Sequence, residues 1–307
     1  MQHKEYWPNL FVPGAGKSGT SSLHDYLNQH PDIWMSIEKE PVFFDRLERY
    51  KSIKSRKHYL SLFAKGKDKL YRGESSTNYM VSEDAALRIE GTLNNPKFIF
   101  ILRNPIDRAF SHYNWLKGRG FESRSFQKAF LDSYQQFENK REKLYPSYYS
   151  EGLYATWIGN YIRIFEKENI HLTLTENLKS DTLNTLNGCF AFLGLPPLEH
   201  IKNLHKNESV LLKDASFYRK MTILLSEEGD NFIKDIYRFI FPDSIRIYLR
   251  RHLVNGLDFF KDNMISHLPI PVMDKELRAW VKNFYTEEVV RLGKITSLDC
   301  YPWKDFQ

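Results

Sequence analysis

The chain has 307 residues, of which 42% are hydrophobic, and this is enough for one large domain with a proper core. Its formal net charge of +6 and its pI of about 9.0 suit an anionic partner, such as a nucleotide or an acidic glycan. Nucleic-acid binding and a membrane-spanning class are not favoured, because no block of five basic residues and no long apolar stretch stands out. Two cysteines are too few for a disulfide framework or a zinc site.

Apolar runs alternate with amphipathic stretches along most of the chain. Strands are predicted at residues 9–12, 33–36, 71–74, 98–102 and 171–175. Helices are predicted at residues 21–29, 50–63, 84–91, 106–117, 126–137, 153–167, 182–193 and 274–292. Strands that alternate with helices indicate an α/β fold, with a parallel sheet flanked by helices. The stretch 199–271 is irregular, with helical segments at 216–225 and 230–240, and we expect it to belong to the same single domain, residues 1–307.

The first notable motif follows the first strand. Residues 10–23 read LFVPGAGKSGTSSL, which predicts a short strand, a glycine-rich turn and the start of a helix. An ammonium group, several hydroxyls and the backbone N–H groups would meet at one point and form a cradle for a phosphate or sulfate group. The residues of this cradle are Gly16, Lys17, Ser18, Gly19, Thr20, Ser21 and Ser22. An ordinary strand–helix turn is the alternative interpretation.

The loop matches a Walker A loop only in part. Gly16, Lys17 and Ser18 supply its end, but Phe11 stands where its first glycine should be. Gly14 lies only two residues before Gly16, so the loop is shorter than a Walker loop.

The second motif follows the apolar run at residues 97–102, which is typical of a buried parallel strand. Arg103 would leave the carboxyl end of this strand, and Pro105 suits the first turn of the next helix. Ser111 would lie about two turns into that helix, on the same side of the site. Arg103 and Ser111 could then hold a second phosphate, although Arg103 could instead pair with a nearby acid.

Together, the two motifs resemble the sulfotransferase family, whose members take a sulfuryl group from 3′-phosphoadenosine 5′-phosphosulfate (PAPS). Residues 16–23 resemble the family's 5′-phosphosulfate loop, and residues 102–113 resemble its 3′-phosphate motif. Residues 39–45, KEPVFFD, and 73–79, GESSTNY, resemble two further segments of the heparan-type and bacterial branch. The resemblance covers at least residues 8–195 and implies a P-loop-like sulfotransferase fold.

The resemblance also implies roles for individual residues. Lys17 would stabilise the leaving phosphate, and the 16–22 cradle would hold the 5′ end of PAPS. Arg103 and Ser111 would hold its 3′-phosphate, with PAP as the product and no metal required. Glu40 would be the general base, since neighbouring Pro41, Phe43 and Phe44 favour partial desolvation. Glu74 is the second candidate for the base, and His112 is a weaker one.

The chain departs from the heparan-type pattern in the segment around Glu74. That pattern usually reads Glu-Lys-[Thr/Ser]-Pro, whereas this chain has Ser75 in place of the lysine and Thr77 in place of the proline. A C-terminal Lys-Gly-Arg element is not evident either, and Lys206 or Lys213 is the candidate substitute for it. These departures fit the diverse bacterial members better, and they leave the acceptor open between a glycan, a lipid and a small metabolite.

Two other functions compete with sulfuryl transfer. A P-loop nucleotide kinase or NTPase acting on Mg-ATP would need an acid after the apolar strand, whereas Arg103 stands there. A non-catalytic anion- or glycan-binding protein would need neither Lys17 nor Glu40. The segment formed by the first eight residues is polar and short, so it is neither a signal peptide nor a membrane anchor. We therefore expect a cytoplasmic protein of bacterial or phage type, unless the sequence lacks an N-terminal membrane anchor.

Overall fold

The computed structural model describes residues 5–45, 53–139, 147–204, 211–212, 265–266 and 271–307. The chain divides into two compact units. The first comprises Met1–Ala109, Phe130–Lys206 and Asp274–Gln307, and the second comprises Phe110–Ala129 and Asn207–Met273. Compact units occur within single domains as well as between domains, so a single domain over residues 1–307 stays a prediction.

The first unit is built on a parallel sheet of five strands in the order β2-β3-β1-β4-β5. The strands are β1 (Leu10–Phe11), β2 (Ile33–Met35), β3 (Tyr71–Glu74), β4 (Lys97–Leu102) and β5 (Ile170–Leu174). In the centre, Phe11 of β1 pairs with Glu74 of β3 and with Phe98 of β4. The carboxyl ends of these three strands therefore meet at one edge, where ligands bind in open parallel sheets.

Helices connect the strands, as a parallel sheet requires. Within the described ranges they are α1 (Thr20–Leu27), α2 (Arg56–Ser61), α3 (Glu83–Thr92), α4 (Pro105–Lys117), α5 (Phe126–Glu138), α6 (Tyr154–Phe165), α7 (Thr175–Ser180), α8 (Thr182–Phe192), α9 (Lys275–Asn283) and α10 (Thr286–Thr296). Short 3₁₀ helices occupy Ala64–Gly66, Thr77–Val81, Ser150–Gly152, Lys167–Asn169 and Lys304–Phe306. No described helix is both long enough and apolar enough to cross a membrane.

The second unit receives parts of α4 and α5, because the unit boundaries fall at Phe110 and Ala129. Its other described elements are strands β6 (Leu211–Leu212) and β7 (Ile265–Ser266), which pair antiparallel. Within this unit, Phe110 packs edge-on against Phe126, with ring centroids 5.1 Å apart.

The core of the first unit lies on both faces of the sheet. Successive side chains of a strand point to opposite faces. Accordingly, Phe98, Phe100 and Leu102 of β4 join one buried cluster. Ile99 and Ile101 of the same strand join the other. This two-sided burial explains why β4 has a continuous apolar sequence rather than an alternating one.

The α/β prediction is confirmed, and all five predicted strands agree with the structure within one residue at each end. The prediction of one final helix over residues 274–292 is wrong, because α9 ends at Asn283 and α10 begins at Thr286. The chain turns at Tyr285, whose buried hydroxyl donates to the carbonyl groups of Tyr148 and Tyr149. The predicted helices at 216–225 and 230–240 lie outside the described residues.

Candidate active site

The glycine-rich turn between β1 and α1 is fixed to neighbouring segments by backbone hydrogen bonds. Ala15 N–H donates to the carbonyl of Ile101 at 2.8 Å, and Ile101 N–H donates to Gly14 at 2.9 Å. Gly19 precedes the first residue of α1 with a φ of 90°, in the left-handed region that glycine adopts without strain. Because glycine has no side chain, the N-cap residue gives the first N–H groups of α1 no side-chain hydrogen bond.

Arg103 lies beside this turn, as predicted from its position at the end of β4. Its guanidinium Nη1 lies 3.4 Å from the carbonyl oxygen of Lys17. The Tyr154 hydroxyl donates to the carbonyl of Arg103 at 2.9 Å. The Thr175 hydroxyl lies 2.5 Å from the carbonyl of Ser18 and 2.9 Å from that of Leu102. These contacts hold the two predicted cofactor segments against each other.

Glu40 lies in the loop that follows β2. Its backbone N–H donates to the carbonyl of Ser75 at 2.9 Å. Its carboxylate accepts two hydrogen bonds from Thr77, one from the backbone N–H at 2.8 Å and one from the hydroxyl at 3.1 Å. Glu40 is an exposed residue, yet desolvation by the surrounding protein raises the pKa of its carboxyl, against the opposing effects of Thr77 and Lys39.

Lys39, the residue before Glu40, connects this loop to the anion cradle. Its ammonium donates a hydrogen bond to the hydroxyl of Ser21 in the first turn of α1. The structure thus brings the segment of Glu40 to the cradle that contains Lys17, although the two segments are separate in sequence.

Glu74 has a different environment from Glu40. It is fully buried at the end of β3, and its carboxylate accepts hydrogen bonds from the hydroxyls of Tyr59 at 2.6 Å, Ser76 at 2.5 Å and Tyr79 at 3.2 Å. Desolvation raises its pKa to about 7, although the three hydroxyls act in the opposite direction.

Two of the three hydroxyls around Glu74 also hold the loop of Glu40. Ser76 accepts a hydrogen bond from the backbone N–H of Val42 at 3.1 Å, and Tyr79 accepts one from that of Phe44 at 3.0 Å. The Glu74 carboxylate therefore organises the segment after Glu40 through two hydrogen-bonded relays.

Sequence reasoning missed Glu151, which lies against the cradle. A Cβ atom on Gly16 would stand 3.0 Å from Glu151 Oε2. That same oxygen accepts a hydrogen bond from Nη1 of Arg108, whose side chain is fully buried, at 3.0 Å. Burial raises the pKa of Glu151, whereas the charges of Arg108 and Lys17 lower it. An isolated glutamate before Gly152 gives no signal in sequence, because its role depends on a distant loop.

The lysine position of the heparan-type pattern is occupied here by a buried serine. The Ser75 hydroxyl lies 2.8 Å from Nδ1 of His24, and Nε2 of His24 lies 3.1 Å from the carbonyl oxygen of Ser36. A carbonyl can only accept, so Nε2 of His24 donates to Ser36. Ser75 therefore belongs to the supporting structure behind the loop of Glu40.

The sequence of the chain matches the model of one protein family. The sulfotransferase domain model matches residues 8–228, which is more than half of the chain. The chain belongs to the sulfotransferase family. The family predicted from the four sequence segments is thus confirmed.

Several sulfotransferases resemble the chain in sequence. Heparan sulfate glucosamine 3-O-sulfotransferase 3B1 of Homo sapiens is 27% identical over 205 residues, which cover 66% of this chain and 50% of that protein. Human carbohydrate sulfotransferase 15 is 23% identical over 267 residues, which cover 68% of this chain and 46% of that protein. The chain thus spans about half the length of these relatives.

A solved structure supports the sulfotransferase fold directly. The crystal structure of a sulfotransferase from Alicyclobacillus acidocaldarius superposes with a TM-score of 0.69 at 24% sequence identity. The match covers 97% of this chain and 99% of that one. At this identity the likeness concerns the fold alone, and the predicted P-loop-like sulfotransferase fold is confirmed.

The predicted site residues of this sulfotransferase divide between the two compact units. The cradle residues 16–22, Glu40 and Arg103 belong to the first unit, whereas Ser111 and His112 lie in the part of α4 assigned to the second. The 3′-phosphate role of Ser111 stays a prediction. Lys206 and Lys213 lie outside the described residues. Among the described residues, no group of three or more His, Cys, Asp or Glu side chains is arranged to hold a metal ion.

Proposed function

We propose that this sulfotransferase transfers the sulfuryl group of PAPS to a hydroxyl or amine of an acceptor and releases PAP. The observation that carries the proposal is the meeting of three segments at one sheet edge. Arg103 lies 3.4 Å from the backbone of Lys17, and Lys39 joins the loop of Glu40 to the first turn of α1. A donor with anionic groups at both ends fits an edge with two separate basic segments.

The donor would bind by its two phosphates. The backbone N–H groups of the cradle, with the hydroxyls of Thr20, Ser21 and Ser22, hold the 5′-phosphosulfate at the start of α1. Arg103 holds the 3′-phosphate, for which a guanidinium offers paired donors. Lys17 neutralises the charge that develops on the bridging oxygen as the phosphate leaves. These residues supply the required positive charge without a metal.

Glu40 serves as the general base in this proposal. Its exposed position allows an acceptor to approach, and desolvation raises the pKa of its carboxyl toward the working range. Glu74 suits a supporting role instead, because it is fully buried and its oxygens already accept from three hydroxyls. We therefore assign the proton transfer to Glu40 and the organisation of its loop to Glu74.

The transfer step balances with these groups alone. A bond forms between the acceptor oxygen or nitrogen and sulfur, while the bond between sulfur and the bridging phosphate oxygen breaks. The acceptor proton moves to Glu40, and the electron pair of the broken bond stays on the phosphate of PAP, beside Lys17. In-line positioning of acceptor and leaving group accounts for much of the expected rate enhancement.

The proposed acceptor is a glycan. Two kinds of relative carry names that refer to heparan sulfate glucosamine and to carbohydrate, and the net charge of +6 favours an anionic partner. The competing P-loop kinase or NTPase lacks this support, because the chain is a sulfotransferase by family and Arg103 occupies the place of the expected acid.

Calorimetric titration with PAP, with AMP and with Mg-ATP tests the donor. We expect PAP to bind far more tightly than AMP, because only PAP has the 3′-phosphate that Arg103 would contact. Arg103→Ala should weaken PAP binding strongly and leave AMP binding nearly unchanged. Preferential binding of Mg-ATP, or an equal loss of PAP and AMP binding in Arg103→Ala, would contradict the proposal.

A further inference from the structure

Thr77 contacts the proposed base with both of its hydrogen-bond donors. Its backbone N–H donates to Oε2 of Glu40 at 2.8 Å, and its hydroxyl donates to Oε1 at 3.1 Å. Each carboxylate oxygen thus has its own donor from one residue, which fixes both the position and the rotation of the carboxylate group. These two side-chain contacts are separate from the hydrogen bond that holds the backbone of Glu40, in which the Glu40 N–H donates to the carbonyl of Ser75.

The same position is a proline in the heparan-type pattern that this segment resembles. Proline has no backbone N–H and no hydroxyl, so it can make neither of the two hydrogen bonds. A proline at position 77 of this chain would therefore leave the Glu40 carboxylate without both of these donors.

We propose that Thr77 is a positioning residue of this sulfotransferase, and that it holds the Glu40 carboxylate by two hydrogen bonds that a proline at this position cannot make. The inference rests on the proposed function, because Glu40 is the base only in that function. It assigns to this chain a way of orienting the base that the heparan-type sequence pattern does not contain.

The electrostatic surroundings of Glu40 agree with this role. Thr77 favours the ionised carboxylate through both hydrogen bonds and thereby lowers the pKa that desolvation raises. The charged groups that also face Glu40 are Lys39 from its own loop, which lowers its pKa, and Glu151, which raises it. The charge of Glu40 in turn raises the pKa of Glu74 at the end of β3. Thr77 is the neighbour among these that orients the carboxylate without adding a charge.

The backbone around Thr77 can accept the proline of the related pattern. Thr77 is the first residue of the 3₁₀ helix Thr77–Val81, a position that proline favours. Ser76 before it has φ −127° and ψ 102°, an extended conformation that is compatible with a following proline. Thr77→Pro should therefore fold and remove both hydrogen bonds, whereas Thr77→Val removes only the hydroxyl and Thr77→Ser keeps both donors.

The test measures the titration of Glu40 directly. The protein is labelled with ¹³C at glutamate carboxyl groups, and the Glu40 resonance is assigned from its loss in Glu40→Gln. We expect the titration midpoint in Thr77→Ser to equal that of the wild type, the midpoint in Thr77→Val to be higher, and the midpoint in Thr77→Pro to be highest. Any other order of midpoints overturns the proposal. Where Thr77→Pro does not fold, the order of the other three proteins decides.

Activity and donor binding separate this inference from the proposed function. With labelled PAPS and partially desulfated heparan sulfate, turnover in Thr77→Val should fall about two- to tenfold, as expected for one lost hydrogen bond, and Thr77→Ser should restore it. PAP affinity should be the same in all variants. Absence of PAP binding in the wild type would refute the proposed function, whereas the order of midpoints would still confirm or overturn the grip of Thr77 on Glu40.

Discussion

Lys17 and Glu40, the two residues proposed to act in the reaction, share an unusual backbone conformation. Their φ angles are 67° and 53°, in the left-handed region that costs a non-glycine residue about 1–2 kcal/mol. Such conformations persist only where the surroundings impose them, and they concentrate at functional sites. Here the backbone N–H of Glu40 donates to Ser75, and that of Ser18 donates to Ala15 at 3.2 Å.

Replacement of the cradle lysine tests its role in charge stabilisation. We expect Lys17→Ala to lower turnover by about 10²–10³-fold, which is typical for the loss of one group that stabilises developing charge. The exposed lysine Lys65 provides a matched control, and Lys65→Ala should leave turnover unchanged. Transfer from labelled PAPS to partially desulfated heparan sulfate measures both rates. A normal rate in Lys17→Ala would refute its role.

Two amide substitutions distinguish the base from the supporting carboxylate. Glu40→Gln should lower turnover by about 10²–10⁴-fold and leave PAP affinity unchanged, because it removes only the proton acceptor. Glu74→Gln should mainly change stability, since its side chain supports the loop of Glu40 through Ser76 and Tyr79. The two variants are compared by their turnover per folded molecule, and circular dichroism gives the folded fraction. Full activity in Glu40→Gln with none in Glu74→Gln would exchange the two roles.

At the scale of elements, the turn between β4 and α4 is anchored by the C-terminal segment. The Arg278 side chain of α9 donates to Asp305 through Nε at 2.7 Å and through Nη2 at 2.6 Å, and to Asp107 through Nη1 at 2.7 Å. The Asn104 amide also donates to Asp305, at 2.6 Å. These bonds fix the segment that follows Arg103, so the proposed contact of Arg103 with a 3′-phosphate would depend on residues far along the chain.

Removal of the Asp305 carboxylate should loosen this anchor. We expect Asp305→Ala to lower the free energy of unfolding by about 1–3 kcal/mol, since it removes charge-assisted hydrogen bonds from a partly buried pair. It should also weaken PAP binding through the movement of Arg103. Urea denaturation and calorimetry measure the two effects, with the exposed Asp68→Ala as the matched control. Unchanged PAP affinity in a destabilised Asp305→Ala protein would show that the anchor serves stability alone.

The elements differ in how far their sequence determines them. The strands were predictable because runs such as residues 97–102 are apolar on both faces, which a central parallel strand requires. The break between α9 and α10 was not predictable from sequence, since it depends on the burial of Tyr285 against the carbonyls of Tyr148 and Tyr149. Local propensity gives no sign of such a tertiary contact.

The candidate site shows the same division between local pattern and tertiary contact. The proximity of residues 16–22 and Arg103 was predictable, because both segments follow the carboxyl ends of strands in one parallel sheet. The contact of Glu151 with Gly16 was not, since the two residues lie in separate segments with no shared pattern. The two hydrogen bonds from Thr77 to Glu40 were likewise not predictable. The sequence shows only that Thr77 stands where the heparan-type pattern has a proline.

At the scale of the whole molecule, three carboxyl groups of the candidate site make a contribution of defined sign to the pH dependence of stability. Desolvation raises the pKa of Glu40, Glu74 and Glu151, and that of Glu74 reaches about 7 from an ordinary value of 4.5. Between these two values the Glu74 carboxyl binds more protons in the folded state than in the unfolded state, so its contribution to the free energy of unfolding falls as the pH rises. His171, whose pKa is lowered by desolvation, contributes with the opposite sign. The stabilisation from Glu74 is fully present below about pH 4.5 and is lost as the pH passes about 7.

Urea denaturation across this pH range checks the expectation. As the pH rises from about 4.5 to about 7, the wild-type midpoint of unfolding should fall relative to the midpoint of Glu74→Gln, because an amide does not titrate. The exposed Glu287→Gln serves as the control and should keep the wild-type slope. A wild-type midpoint that rises relative to that of Glu74→Gln over this range would contradict the direction assigned to the Glu74 carboxyl.

The hydrogen bond between Asn104 and Asp305 joins positions 201 residues apart. During synthesis, the ribosome completes the Arg103 turn long before it reaches the segment that anchors it, because chains emerge from the N-terminus onward. A nascent chain that has passed β5 already contains all five strands of the parallel sheet, yet the segment after Arg103 would still lack the Asp305 carboxylate that anchors it. Competence to bind the donor should therefore arise late in translation, after the sheet itself has assembled.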